Sequence, residues 1–289
     1  MSGLPTDKRC FARPASASPR SVVPPSRSGA ADGVPGVLAL PALIALLFLL
    51  LPLAGLIIRA PWADAAEVLT RRSAISALRL SLITATSAAS ITVVIGVPLA
   101  WLLARPTLTG AAIVRALVTV PLVLPPVVGG VALFSLLGRS GLLGRPLFSV
   151  TGFSLPFTPY AVVLAQVFVA LPYLVLAVEG ALRAADRRYE EAAATLGANP
   201  LTVFWRVTLP LVAPGIAAGT VLAWARALGE FGATITFAGN FPGTTRTMPI
   251  EVYLALETDP GAALLLSVLL LAVSIAVLVL LRDRWFSRW

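Results

Sequence analysis

The 289-residue sequence has no histidine, a single cysteine and a single lysine. Without histidine there is no imidazole for acid–base catalysis or for a His-ligated metal, and one thiol, Cys10, builds neither a thiolate metal site nor an intrachain disulfide. With Lys8 as the sole lysine a Walker A loop is impossible, so the chain cannot cradle nucleotide phosphates in that way. Charge is scarce as well. Only 12% of residues are Asp, Glu, Lys or Arg, and a mean hydropathy of +0.91 lies outside the range of soluble domains.

What is present is apolar chain, 58% of the residues. A hydrocarbon core about 30 Å thick takes roughly 20 apolar residues to cross as a helix. Six runs reach that length, over residues 36 to 59, 75 to 104, 111 to 138, 159 to 182, 211 to 230 and 261 to 281. The expected fold class is therefore all-α and polytopic, with about six transmembrane helices. A net charge of +9 on such a chain reads as a topology signal and not as a nucleic-acid footprint. With the N terminus cytoplasmic, 14 of the 22 Lys and Arg fall inside, which places both termini and the loop between the fourth and fifth spans in the cytoplasm. Residues 1 to 35, rich in Pro, Ser, Ala and Arg, are expected to be a disordered tail ahead of a membrane domain over 36 to 285.

The fourth loop carries "EEAAATLGANPLTVFWRVTLPL", residues 190 to 211. Tyr189, Ala192, Ala193 and Leu196 recur at helical spacing, and Gly197 stops that short helix. Asn199 as N-cap and Pro200 as first residue start a second, with Leu201, Phe204 and Trp205 on one side and Leu209 and Pro210 ending it before the fifth span. Such a unit is either a docking surface or an amphipathic helix lying on the membrane. Glu191, Ala192, Ala193, Gly197, Val207, Leu209 and Pro210 resemble the EAA motif of ABC importer permeases, with Val207 where Ile is usual.

That resemblance implies a type I ABC importer permease fold. It implies that 188 to 210 is a coupling region, with Glu190 and the motif residues meeting a cytoplasmic ATPase dimer. It further implies a homodimer of this chain and an external binding protein. No cofactor is expected on the chain, since ATP and Mg would be held by the ATPase, and the permease is expected not to be an enzyme.

Two segments bear on the cargo. In residues 227 to 257, Glu230 sits near the end of an apolar helix, where a carboxylate either serves a pathway or is neutralised by Arg226 four residues earlier. Thr234, Thr236, Thr244, Thr245, Arg246 and Thr247 offer hydroxyl and guanidinium donors suited to an oxyanion, or form an ordinary polar loop. In residues 119 to 144, Pro121, Pro125, Pro126, Gly129 and Gly130 break a membrane helix, which is tolerated beside a water-filled path or where helices pack closely. "GEFGATITFAGNFPGTTRT", starting at Gly229, resembles the molybdate permease subunits and less closely the sulfate permeases of the same group. The resemblance implies import of molybdate or tungstate across the bacterial plasma membrane by alternating access, with sulfate or thiosulfate as the alternative cargo. An ion-coupled secondary transporter would need several ionisable residues near the bilayer midplane, and only Arg79, Arg226 and Glu230 qualify on this reading.

Overall fold

Proline and glycine decide where the apolar runs bend and where they touch. The computed structural model describes residues 36–105 and 109–286, and the described residues form helices and turns only. The tail expected over 1 to 35 lies outside them. The elements are α1 (Gly36–Arg59), a 3-10 turn (Trp62–Asp64), α2 (Ala65–Thr70), α3 (Arg72–Leu103), α4 (Ala111–Val123), α5 (Pro126–Leu137), α6 (Gly144–Thr151) and α7 (Pro159–Ala184). After these come α8 (Arg188–Thr195), α9 (Pro200–Val203), a π-helical turn (Phe204–Thr208), α10 (Leu209–Leu228), α11 (Gly232–Phe237), α12 (Met248–Thr258) and α13 (Pro260–Phe286). The chain divides into two units, one up to Leu50 and one from Leu51 onward. Of the first, residues 36–50 are described, the apolar beginning of α1.

Five helical stretches are long and apolar enough to cross a membrane: Ala39–Arg59, Arg72–Leu103, Pro159–Ala184, Pro200–Leu228 and Pro260–Leu280. The third expected span, 111 to 138, is a bent pair: α4 and α5 turn through 115° at the break between them. The cause is local. Leu124 precedes Pro125 and Pro125 precedes Pro126, and the ring of each proline pushes the residue before it out of the helical region. Leu124 accordingly has ψ 130° and Pro125 ψ 132°.

In the second unit, the largest core cluster joins α3, α7 and α10. It is built on small residues, among them Ala85, Ala88, Ala170, Ala223 and Ala227, which let backbones approach closely where lipid supplies no hydrophobic drive for association. Gly219 of α10 lies at this close approach, where a Cβ would stand 3.1 Å from the Ala177 Cβ and 3.2 Å from Leu174 Cδ1. A second cluster joins α2, α3, α12 and α13, and a third sets α7 against α11. At the start of α3, Arg71 clips α2 to α13 by bonding Glu67 at 3.0 Å and Asp259 at 3.1 Å. The Ala262 amide and Arg71 together hold the Asp259 carboxyl below its ordinary range. The 32 residues of α3 separate this clip from Arg105 by about 48 Å at 1.5 Å per residue.

α5 and α11 meet at Gly130, where an added Cβ would stand 2.8 Å from the Ala233 carbonyl oxygen and collide with the Thr236 hydroxyl. Because one of those neighbours is backbone, Gly130→Ala is expected to cost ~1–3 kcal/mol through overpacking. A thermal unfolding scan in detergent checks this, and an unchanged midpoint would show that α11 yields.

Candidate functional site

The stretch that breaks the apolar pattern folds as a helix, a glycine turn and a second helix. α8 ends in a hydrogen-bonded glycine cap: the Gly197 amide donates to Ala194 O at 3.0 Å and the Ala198 amide to Ala193 O at 3.1 Å, with Gly197 at φ +83°. Asn199 Oδ1 then accepts from the Thr202 amide at 2.8 Å, with Pro200 as first helical residue. None of the residues of α8 is buried. Tyr189, Ala192, Leu196, Leu201 and Trp205 are exposed apolar groups beside the exposed Glu191, while Ala193 is half-buried.

The ending expected at Leu209 and Pro210 does not occur. α9 lasts four residues and passes through the π-helical turn directly into α10, so that Pro200–Leu228 is one stretch. Pro210 has no amide to give to the preceding turn, and the wider winding just before it, in which the Leu209 amide bonds Phe204 O, takes the helix through without a stop. Val207 and Leu209 are half-buried at this junction and Pro210 is exposed.

Glu190 turns inward. Its carboxylate takes two bonds from Arg105, at 2.7 Å and 3.2 Å, and one from the Thr208 hydroxyl at 2.5 Å. Burial works to raise this carboxyl, but the Arg105 and Thr208 bonds outweigh it, so its pKa lies below the ordinary carboxylate value. The cluster is therefore formed at neutral pH and is lost only as acid protonates the group through that lowered value.

The second set of candidate residues divides. Pro126 and Thr236 both lie where α5 packs on α11 but meet different residues there, Pro126 lying against Gly232 and Thr236 against Gly130. Gly129 is buried beside Phe168 of α7, and Pro125 is exposed at the bend. Thr236 donates to Gly232 O at 2.7 Å, and Thr234 is buried with its hydroxyl unpartnered among the described residues. Glu230 is 1% exposed; one oxygen caps α11 by accepting from the Ala233 amide at 2.8 Å, and the other lies 2.6 Å from Arg226 Nη1. The Arg226 pairing open in the sequence is thus present. Arg246 stands with a different group, donating to Asn240 O at 3.1 Å and to Glu251 at 3.4 Å. It lines a cavity of about 300 Å³ with Arg71 and Asp259.

Two features escaped sequence reasoning. Glu179 of α7, its side chain 5% exposed, accepts from Arg115 of α4 at 2.7 Å and from Arg183 at 2.8 Å, so ionisable residues within spans are not confined to Arg79, Arg226 and Glu230. The Glu179–Arg183 spacing of four was the available signal. Midway along α3, Thr86 and Ser90 face Thr220 and Trp224 of α10 across a cleft of about 480 Å³, and Trp224 Nε1 donates to the Thr86 hydroxyl at 3.3 Å. Single hydroxyls dispersed through apolar helices carry no sequence pattern that would have marked them.

The family model described as binding-protein-dependent transport system inner membrane component matches residues 96–288. The molybdenum transport system permease protein ModB of Mycobacterium tuberculosis is 51% identical over 240 residues, covering 83% of this chain and 90% of that protein. The sulfate transport system permease protein CysT of Synechocystis is 33% identical over 254 residues, covering 84% and 87%. A crystal structure of a bacterial ABC transporter involved in import of the acidic polysaccharide alginate superposes with a TM-score of 0.71 at 17% identity, over 88% of this chain and 95% of that one, which shows a shared fold. The bent span, the α3–α7–α10 core and the helix–glycine–helix unit are thus the parts of a permease, and the chain belongs to the family of binding-protein-dependent transport system inner membrane components.

Proposed function

We propose that this chain is the membrane subunit of an ATP-driven importer of molybdate, working as one half of a homodimer in the bacterial plasma membrane with both termini cytoplasmic. The observation that carries the coupling part is the apolar side of the helix–glycine–helix unit, where Tyr189, Leu196, Leu201 and Trp205 are exposed around the exposed Glu191. A surface of this kind fits a groove on a cytoplasmic ATPase subunit, which would bind ATP and Mg and do the covalent chemistry. The permease then converts ATPase closure into alternate opening of its two ends, and an external binding protein delivers the anion.

For the path, the Thr86 hydroxyl in the α3–α10 cleft and the partly exposed Arg226 guanidinium supply donors for an oxyanion. The greater identity with a molybdenum permease than with a sulfate permease supports molybdate as cargo. Sulfate remains a second reading because both anions are tetrahedral dianions and the donors just named do not separate them by charge. ATP-dependent uptake of radiolabelled molybdate into proteoliposomes holding this chain, its ATPase and its binding protein decides the matter. Uptake that resists excess sulfate and yields to tungstate is expected. Uptake abolished by sulfate would assign the sulfate reading, and uptake indifferent to ATP would overturn the ATP-driven one.

A further inference from the structure

Glu190 and Glu191 are adjacent, but each residue of an α-helix turns about 100° from the last, and the two carboxylates leave α8 on different sides. Glu191 is exposed, whereas the side chain of Glu190 is 17% exposed and faces the membrane domain. There it meets two elements at once. Arg105 stands just beyond the end of α3, and its guanidinium also lies 4.4 Å above the Trp101 ring. Thr208 closes the π-helical turn at the foot of α10. The turn is itself packed on α3, with the Phe204 and Trp101 rings edge to face at 5.6 Å. Arg187 adds a second strand to the connection by donating to Ala104 O at 2.8 Å.

Because α8 buries no residue, apolar packing does not fix its angle to the spans, and directional polar bonds must. A charge-assisted, two-pronged contact holds both distance and direction, which a single apolar contact does not. α3 and α10 are in turn the two helices that close the largest core cluster against α7. Anything that shifts α8 is therefore delivered to both at their ends.

We propose that Glu190 is a positioning residue that ties α8 rigidly to α3 and α10 and so transmits the movement of the docking surface into the spans, without itself touching the ATPase. The inference rests on the coupling reading above. Glu191 and the apolar groups around it hold the partner, and Glu190 holds the surface.

The test uses the complete importer in proteoliposomes, reading co-purification of the ATPase with the permease and molybdate taken up per ATP hydrolysed. Glu190→Gln is expected to keep the ATPase bound while uptake per ATP falls about tenfold, within the range usual for coupling between sites. Arg105→Glu is expected to do the same, and the exchange Glu190→Arg with Arg105→Glu to recover at least part of the ratio, which a merely destabilising change would not. Arg105→Lys, which keeps the charge and loses the two-pronged geometry, gives an intermediate ratio and serves if Glu190→Gln does not fold. Uptake per ATP at the wild-type value in Glu190→Gln would overturn the proposal, as would loss of the bound ATPase, which would make Glu190 a contact residue. Leu196→Asp tests the coupling reading separately. It should release the ATPase, and if the ATPase stays bound, α8 is not the docking surface whatever Glu190 does.

Discussion

Gly197→Pro is expected to abolish ATP-dependent uptake while the spans remain folded. Gly197 has φ +83°, and a proline ring fixes φ near −65°, so the turn cannot form with that residue in place. The substitution also removes the amide that donates to Ala194 O, and it forces Leu196 out of the helical region, opening the last turn of α8. Space is not the problem, since a Cβ at Gly197 would meet nothing within 4 Å. The damage is purely conformational. Gly197→Asn, which tolerates the left-handed region, is therefore expected to retain most uptake, and Gly197→Ala to fall between the two. Circular dichroism and elution volume report whether the spans survive. Proline and wild-type proteins with equal uptake would mean that the angle between α8 and α9 has no part in coupling.

Glu179→Ala is expected to be strongly destabilising. Glu179 receives Arg115 from α4 and Arg183 from its own helix, and Arg115 Nη2 also reaches Leu103 O at 3.4 Å. Removing one member of a buried pair typically costs ~3–5 kcal/mol, because the partner charge stays behind uncompensated. Here the effect should lie near the low end of that range, since the Arg115 side chain is 33% exposed and that of Arg183 is 55% exposed, so both can recover some water. A thermal scan in detergent should show a midpoint lowered by several degrees. Glu179→Gln should do nearly as much, since it keeps the shape and loses the charge. If both variants melt with the wild type, the cluster is no more than a surface pair.

The helices were legible because hydropathy alone reveals a bilayer-length run, and Gly197, Asn199 and Pro200 announced the turn through chemistry confined to three residues. The 115° break was legible only as a weakness at Pro125 and Pro126, since an angle depends on what the two halves pack against. Leu209 and Pro210 misled for a related reason. A proline near a helix start reads as a boundary, but a π-helical turn accommodates it and the helix goes on. The inward turn of Glu190 could not be read at all, because Arg105 lies 85 residues away and Thr208 eighteen, and one carboxylate looks like its neighbour until the fold chooses a side. The role of Glu179 was hidden similarly, by a partner 64 positions distant on α4.

The bend between α4 and α5 has a mechanical consequence. Both residues at the corner precede a proline, and both prolines have their own φ fixed by the ring, so nearly every torsion there is restrained. The corner is thus an elbow set at one angle. α4 is bolted to α7 through Arg115 and Glu179, and α5 is seated on α11 at Gly130. A bracket of this form behaves as a bell crank: a small displacement applied to one arm emerges from the other in a different direction, with little of it absorbed by flexing at the corner.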